Sequence, residues 1–181
     1  MAKAIEKKIK SELEKMMRSE REEYEKFFDA FGIQLKYGIY QDYGMHKDTL
    51  KDLILFHSSA EGNKYVSLKE YTDAMKDEQK AIYYAAGESI ERIEMLPQVA
   101  TVKAKGYEVL YLTDDVDEFA IKLLDKYADK EFKNVTAEAL DLLSDDEKEA
   151  EKSKNESSEE MLTFMKEAIG KVSAVKWNAS L

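Results

Sequence analysis

Cysteine does not occur in the 181-residue sequence, and histidine occurs only twice. Disulfide bonds and thiolate metal ligands are therefore excluded, which suits a reducing compartment. An excess of basic residues is also lacking, since the formal net charge is −10. This charge disfavours general binding to nucleic acids or to anionic membrane surfaces, so neither is expected as a partner.

Long apolar runs are missing as well. The first ten residues, MAKAIEKKIK, lack the apolar core that a signal peptide contains. No apolar run approaches the roughly 20 residues needed to span a bilayer. We therefore expect a cytoplasmic protein. The hydrophobic content of 44% is enough for a modest core in one domain, or in one domain with appendages.

Helical spacing marks the first third of the chain. Residues 1–17 carry one narrow apolar stripe, formed by Ile5, Ile9, Leu13 and Met16. A second helix with a wider, more aromatic face is predicted at residues 20–37. A short helix is predicted at residues 49–55. Further along, Ser67 and Glu70 have the spacing of a capping box, which predicts a helix at residues 68–75.

Two strand–turn–helix units follow. The continuous apolar run at residues 81–86 is typical of a strand covered on both faces, and residues 87–89 then turn the chain into a helix. Pro97 suits the first position of a helix that extends to residue 105, because its missing N–H costs nothing at that position. Residues 107–112 repeat the pattern, and residues 132–135 predict a last strand. Because parallel strands need crossover connections, we predict an α/β fold with three α/β/α layers and a mostly parallel sheet.

The composition changes at residues 144–160, where acidic residues outnumber lysines and almost no apolar residue occurs. This pattern predicts a flexible acidic linker. Residues 161–169 have amphipathic spacing, and residues 171–181 resemble a strand that runs off the end of the sequence. We expect such a strand, and a first helix without a cap, in an excerpt of a longer chain.

An acidic group follows the second strand and consists of Asp114, Asp115, Asp117 and Glu118. One interpretation is that Thr113 or Asp114 caps the next helix and the other acids complement its positive end. The alternative is a metal or phosphoacceptor site, although a partner lysine and hydroxyl at later strand ends are not evident. His46 and His57 lack the spacing of a zinc site.

The helix after these acids has a mixed surface. At 100° per residue, the face predicted to contact the sheet consists of Val116, Ala120, Leu123, Leu124 and Tyr127. Phe119 falls at the edge of this face, beside Glu118 and Lys122. An aromatic ring and two opposite charges on one surface suit a protein contact. The alternative is a boundary core phenylalanine beside a solvated ion pair.

Three sequence segments resemble those of a known family: LKYGIYQD, IYYAAGES and KGYEVLYLTDDVDEF. In this order they resemble the middle segment of the ninety-kilodalton heat-shock chaperones. The resemblance implies a helical connector at residues 1–38, a small α/β subdomain at residues 39–143 and the acidic linker at residues 144–160. Residues 161–181 would begin a carboxy-terminal dimerisation domain.

The same resemblance implies a function. Glu118, Phe119 and Lys122 match residues that hold client proteins, although the family often has tryptophan at Phe119 and a smaller polar residue at Lys122. It also usually has proline at Asp115. ATP and magnesium would bind a separate amino-terminal domain of a homodimeric parent protein, which leaves this chain without cofactor, metal or catalytic residues.

The leading hypothesis is thus a fragment of an ATP-dependent chaperone that contacts unfolded or partly folded clients. In this role it would couple the nucleotide-binding and dimerisation domains mechanically. The alternative is an independent α/β enzyme or receiver-like switch that uses Asp114 and Asp115.

Overall fold

The computed structural model describes residues 2–41, 43–137, 161 and 163–165. The chain divides into two units, residues 1–139 and 140–181, and the second contributes only the four helical residues 161 and 163–165 to the description. The acidic linker and the terminal strand predicted from sequence lie outside the described residues. No described helix is long and apolar enough to cross a membrane.

Two long helices open the first unit, as predicted: α1 (Ala2–Ser19) and α2 (Arg21–Gln41). The second half of the α1 stripe packs against the hydrophobic core, whereas Ile5 and Ile9 remain exposed. The aromatic face of α2 enters the core through Tyr24 and Phe28. Because α2 continues to Gln41 and packs on the sheet, it belongs to the same unit as the strands.

Within the described residues, six strands form one mixed sheet. They are β1 (Leu55–Ser58), β2 (Tyr65–Ser67), β3 (Ala81–Ala86), β4 (Val109–Leu112), β5 (Lys126–Tyr127) and β6 (Lys130–Asn134). Their order is β2-β1-β4-β3-β6-β5. The predicted parallel pairing is confirmed at the centre, where β3 lies between β4 and β6. The β1–β2, β1–β4 and β5–β6 pairs are antiparallel. The antiparallel edges escaped prediction because β2 and β5 are too short to show a periodicity.

Helices cover both faces of the sheet, which confirms the α/β class and the three layers. The shorter helices are α3 (Lys47–Leu50), α4 (Leu68–Ala74), α5 (Ile90–Glu94), α6 (Pro97–Ala104) and α7 (Asp117–Leu124). Alternate residues of β3 and β4, such as Ile82 and Leu110, share a buried cluster with α2 and α7. On the opposite face, the Tyr111 hydroxyl donates to Glu94 of α5 across 3.4 Å.

Local signals set several helix boundaries. The capping box is confirmed, because Ser67 Oγ accepts from the Glu70 N–H at 3.2 Å and the Glu70 carboxylate accepts from the Ser67 N–H at 2.8 Å. Pro97 is the first residue of α6, as predicted. The predicted helix at residues 49–55 is wrong in extent: α3 ends at Leu50, and the fully buried run that begins at Leu53 enters the sheet.

The hydroxyl group of Tyr71 connects α4 with β3 and with the segment before β4. Tyr71 of α4 is buried, and its hydroxyl donates to the Glu108 carbonyl at 2.6 Å. The same oxygen accepts from the Tyr83 N–H of β3 and from Gln79 Nε2, each at 3.0 Å. Burial raises the pKa of Tyr71, so the hydroxyl stays neutral. These bonds tie α4 to β3 and to the segment that enters β4.

We therefore predict that Tyr71→Phe lowers the free energy of unfolding by about 1–3 kcal/mol, because buried donors lose their acceptor. Urea unfolding measures the loss. Tyr43→Phe is the matched control, since Tyr43 is fully solvated at the surface and the same atom is removed. An equal, negligible change in both variants would contradict the role of the Tyr71 hydroxyl.

Candidate functional site

A lysine buried among aromatic rings anchors α2 to the start of α7. The Lys36 side chain is only 4% exposed, and its Nζ lies 2.6 Å from Asp117 Oδ1 and 2.9 Å from Asp114 Oδ2. The ring centroids of Phe56 and Phe28 are 4.9 Å and 5.5 Å from the same nitrogen. A buried charge is tolerated only with such partners, so the cluster fixes α2 against the end of β4.

Asp117 is the buried counter-ion of this cluster. It is 1% exposed, and its Oδ2 accepts from the Asp114 N–H at 3.1 Å. Burial raises the pKa of the Asp117 carboxyl, and the neighbouring Lys36 ammonium opposes this by lowering it. The carboxylate is therefore held in an apolar surrounding mainly by one cation from α2.

The structure corrects the predicted roles of the strand-end acids. Capping by Thr113 or Asp114 is wrong: the residue before α7 is Val116, and no side chain caps the helix. Asp114 pairs instead with Lys36, which lies 78 residues earlier in the sequence. Within the described residues, no group of three or more potential ligands could hold a metal ion. The receiver-like alternative with Asp114 and Asp115 gains no support.

The buried side of α7 also differs in part from the prediction. Val116, Ala120 and Leu124 are buried as expected. Leu123 is only half-buried, and Tyr127 belongs to β5 because the helix ends at Leu124. Two residues outside the predicted set, Asp117 and Ile121, take their places. Asp117 lies on the buried side because it pairs with the buried Lys36 ammonium at 2.6 Å, a contact that helical spacing alone does not reveal.

An open cavity of about 460 Å³ lies between α2 and the start of α7. We call it the aromatic groove. Its apolar lining consists of Ile33, Tyr37, Tyr40, Val116 and Phe119. Its polar lining consists of Thr113, Asp114 and Asp115. An apolar surface of this kind, bordered by carboxylates, is typical of a binding site for another molecule.

The rings of the groove form a continuous series from α2 to α7. The centroids of Tyr37 and Tyr40 are 5.5 Å apart, and those of Tyr40 and Phe119 are 5.3 Å apart. Phe119 is 51% exposed, so it is not a core residue. Lys122 places its Nζ 6.0 Å from the centre of the Phe119 ring, on the solvent side of α7.

Of the three residues predicted to contact clients, only Phe119 lines the groove. Glu118 is half-buried and Lys122 is exposed, and both lie beside Phe119 on α7. Sequence reasoning missed the α2 side of the site. The pair Tyr37 and Tyr40, one turn apart at the end of a helix, was the available signal.

A second lysine holds the other end of α7. Lys47 of α3 donates from Nζ to the Leu123 carbonyl at 3.0 Å. A cation at the carboxyl end of a helix is favourable, because the last carbonyl groups carry partial negative charge. Helix α7 is thus attached to the helices before the sheet at its first and last turns.

Comparison with known proteins identifies the family of this chain. The family model described as Hsp90 protein matches residues 1–181. The chain belongs to the Hsp90 family. Two chaperone proteins HtpG, from Clostridium perfringens and Clostridium acetobutylicum, are 55% and 54% identical over 182 residues, which is all of this chain and 29% of each relative. The chain thus spans less than a third of these curated relatives.

A solved structure agrees with the family assignment. The middle domain of a heat shock protein from Plasmodium falciparum superposes with a TM-score of 0.67 and is 31% identical in sequence. The match covers 74% of this chain and 55% of that domain. The resemblance to a chaperone middle segment is therefore confirmed.

The Lys36 cluster generates a stability prediction. Lys36→Met keeps an apolar stem but leaves the Asp117 carboxylate buried without its cation, so we expect the free energy of unfolding at pH 7 to fall by about 3–5 kcal/mol. Without the ammonium, the pKa of Asp117 rises further above that in the unfolded chain. A carboxyl whose pKa is raised on folding destabilises the folded protein only at a pH where it is ionised. The loss of unfolding free energy caused by Lys36→Met should therefore shrink as pH falls towards about 4.

Urea unfolding at neutral and acidic pH measures this dependence. Lys26→Met is the control, because Lys26 is exposed and pairs with the exposed Glu23, so this substitution is expected to cost less than about 1 kcal/mol. Asp117→Asn added to Lys36→Met should restore part of the stability at pH 7 and remove the pH dependence. If Lys36→Met loses no more stability than Lys26→Met, or if its loss does not change with pH, the claim that Lys36 stabilises a buried Asp117 carboxylate is refuted.

Proposed function

We propose that this chain is the client-contacting and force-transmitting part of an HtpG-like, ATP-dependent chaperone of the cytoplasm. The observation that carries the proposal is the half-exposed Phe119 ring, which extends a series of aromatic side chains along an open groove. Family membership supports the chaperone role, and the absence of cysteine suits the reducing cytoplasm.

Client contact would be made by Phe119 with its neighbours Glu118 and Lys122. Exposed aromatic residues give binding energy through many alternative contacts, and mixed charges beside them accept varied polar groups. A partly folded protein offers apolar side chains in no fixed order. A groove with rings on both walls can therefore bind many clients weakly.

Mechanical coupling would use the connection between α2 and α7. The two helices pack against each other and share the Lys36 cluster. A displacement of α2 would move α7 with it, because separating them exposes or isolates a buried charge. In a homodimer, forces from a nucleotide-binding domain would reach the client surface along this route.

ATP and magnesium would bind outside this chain, which would supply no catalytic residue. Asp114, a strand-end acid that a phosphoacceptor or metal site would use, already pairs with the Lys36 ammonium. Its carboxylate is therefore poorly placed to serve as a phosphoacceptor or a magnesium ligand.

We predict that Phe119→Ala weakens binding of a permanently unfolded model protein by about five- to tenfold, since central aromatic contacts contribute about 1–1.4 kcal/mol or more. The melting temperature should stay within a few degrees, because the ring is half-exposed. Fluorescence anisotropy and thermal unfolding of the 181-residue chain measure the two effects.

Phe31→Ala is the matched control. Phe31 is 53% exposed, lies on α2 and does not line the groove, so the same atoms are removed from a different surface. Equal effects of the two substitutions would show that general surface hydrophobicity, and not the groove, binds the client. Unchanged binding in Phe119→Ala would refute the proposed contact.

Calorimetric titration tests the assignment of nucleotide binding to other domains. We expect the 181-residue chain to show no saturable heat with ATP and Mg²⁺, or with Mg²⁺ and a phosphoryl mimic. Tight binding of either ligand would count against the chaperone segment and in favour of an independent enzyme or switch.

A further inference from the structure

We infer that the aromatic groove selects client segments in which an arginine or lysine is flanked by apolar residues. This inference rests on the proposed function and names the class of sequence that the same surface prefers. The observation behind it is that two carboxylates, those of Asp114 and Asp115, line the same groove as the aromatic rings.

The carboxylates of the groove exceed the cations available to them. Asp115 is exposed, and within the described part of the chain no lysine or arginine pairs with it. Asp114 pairs with Lys36, but its side chain remains 34% exposed. The Lys36 ammonium is buried and shared with Asp117, so it does not neutralise Asp115. The groove therefore presents a negative potential to an arriving segment.

The rings favour the same kind of occupant. A cation over the face of an aromatic ring is attracted by the ring quadrupole, and the planar guanidinium of arginine can also stack on it. Tyr40 and Phe119 stand 5.3 Å apart at tilted angles and line the same groove as these carboxylates. A guanidinium or ammonium on the exposed side of the Tyr40 ring would contact this ring and a carboxylate of the same groove, while apolar neighbours in the segment would cover Ile33 and Tyr37.

The charge of the groove argues against two other occupants. An acidic segment would meet like charge at Asp114 and Asp115. The stretch at residues 144–160 of this chain is strongly acidic and has the wrong sign. A purely apolar segment would desolvate the carboxylates without replacing their hydrogen bonds, which costs free energy. A basic residue with apolar flanks satisfies both parts of the surface.

Two short fluorescent peptides test the inference, one with a central arginine flanked by leucine and phenylalanine and the other with glutamine in place of arginine. We expect the 181-residue chain to bind the arginine peptide about three- to tenfold more tightly, as one carboxylate contact and one cation–π contact predict. The ratio should fall at high salt.

Asp115→Asn and Tyr40→Leu should each lower the ratio of the two affinities, because each removes one of the two contacts, and the double variant should bring it close to one. Asp77→Asn is the matched control, because Asp77 is an exposed aspartate in the loop before β3, at the opposite end of the parallel strands from Asp115. It should leave the ratio unchanged. Phe119→Ala should weaken binding of both peptides.

The outcomes separate the inference from the proposed function. Equal affinities for the two peptides, or an unchanged ratio in Asp115→Asn, would overturn the selectivity while client binding through Phe119 stands. Failure of both peptides to bind, with the unfolded model protein still bound through Phe119, would overturn the selectivity in the same way. Failure of the peptides and of the model protein would overturn both.

Discussion

The buried ammonium of Lys36 is the constraint on which the arrangement of this unit depends. Its charge is stable in the interior only because Asp117 and Asp114 lie within 2.6 Å and 2.9 Å and two aromatic rings pack around it. These partners come from the start of α7, whereas the lysine comes from α2. The position of one helix therefore dictates the position of the other. The contact of Lys47 with the last turn of α7 attaches the other end of this helix to α3.

This constraint gives the aromatic groove a rigid frame with adaptable side chains. Its walls are set by α2 and α7, whose backbones cannot separate without isolating a buried charge. The rings of Tyr37, Tyr40 and Phe119 stand on this frame and are about half exposed. Aromatic side chains have few torsions and lose little entropy when they are covered. A rigid frame with such rings can bind varied segments without reorganising its backbone, which suits weak and general recognition.

The sequence predicted those features whose cause is local. The continuous apolar run at Ala81–Ala86, the capping box at Ser67 and the first helical position of Pro97 are each decided by residues close to one another, and all three are confirmed. Lys36 could not be recognised in this way, because in sequence it is one more charged residue of an amphipathic helix. Its burial depends on Asp114, which lies 78 residues later, and on Asp117. For the same reason only the α7 side of the groove was predicted, since the second wall is brought there by the tertiary fold.

Asp114 belongs to both the Lys36 cluster and the groove, which links stability to binding. A cation held in the groove would add a second positive charge near this carboxylate. It would attract the Asp114 carboxylate but also repel the Lys36 ammonium, and the balance of these two forces decides the sign of the coupling. By reciprocity, any movement of α2 that tightens or loosens the Lys36 pair must change the affinity for a cationic segment by the same free energy. The proposed client surface and the proposed mechanical connection share this one carboxylate, so we expect a change in either of them to affect the other.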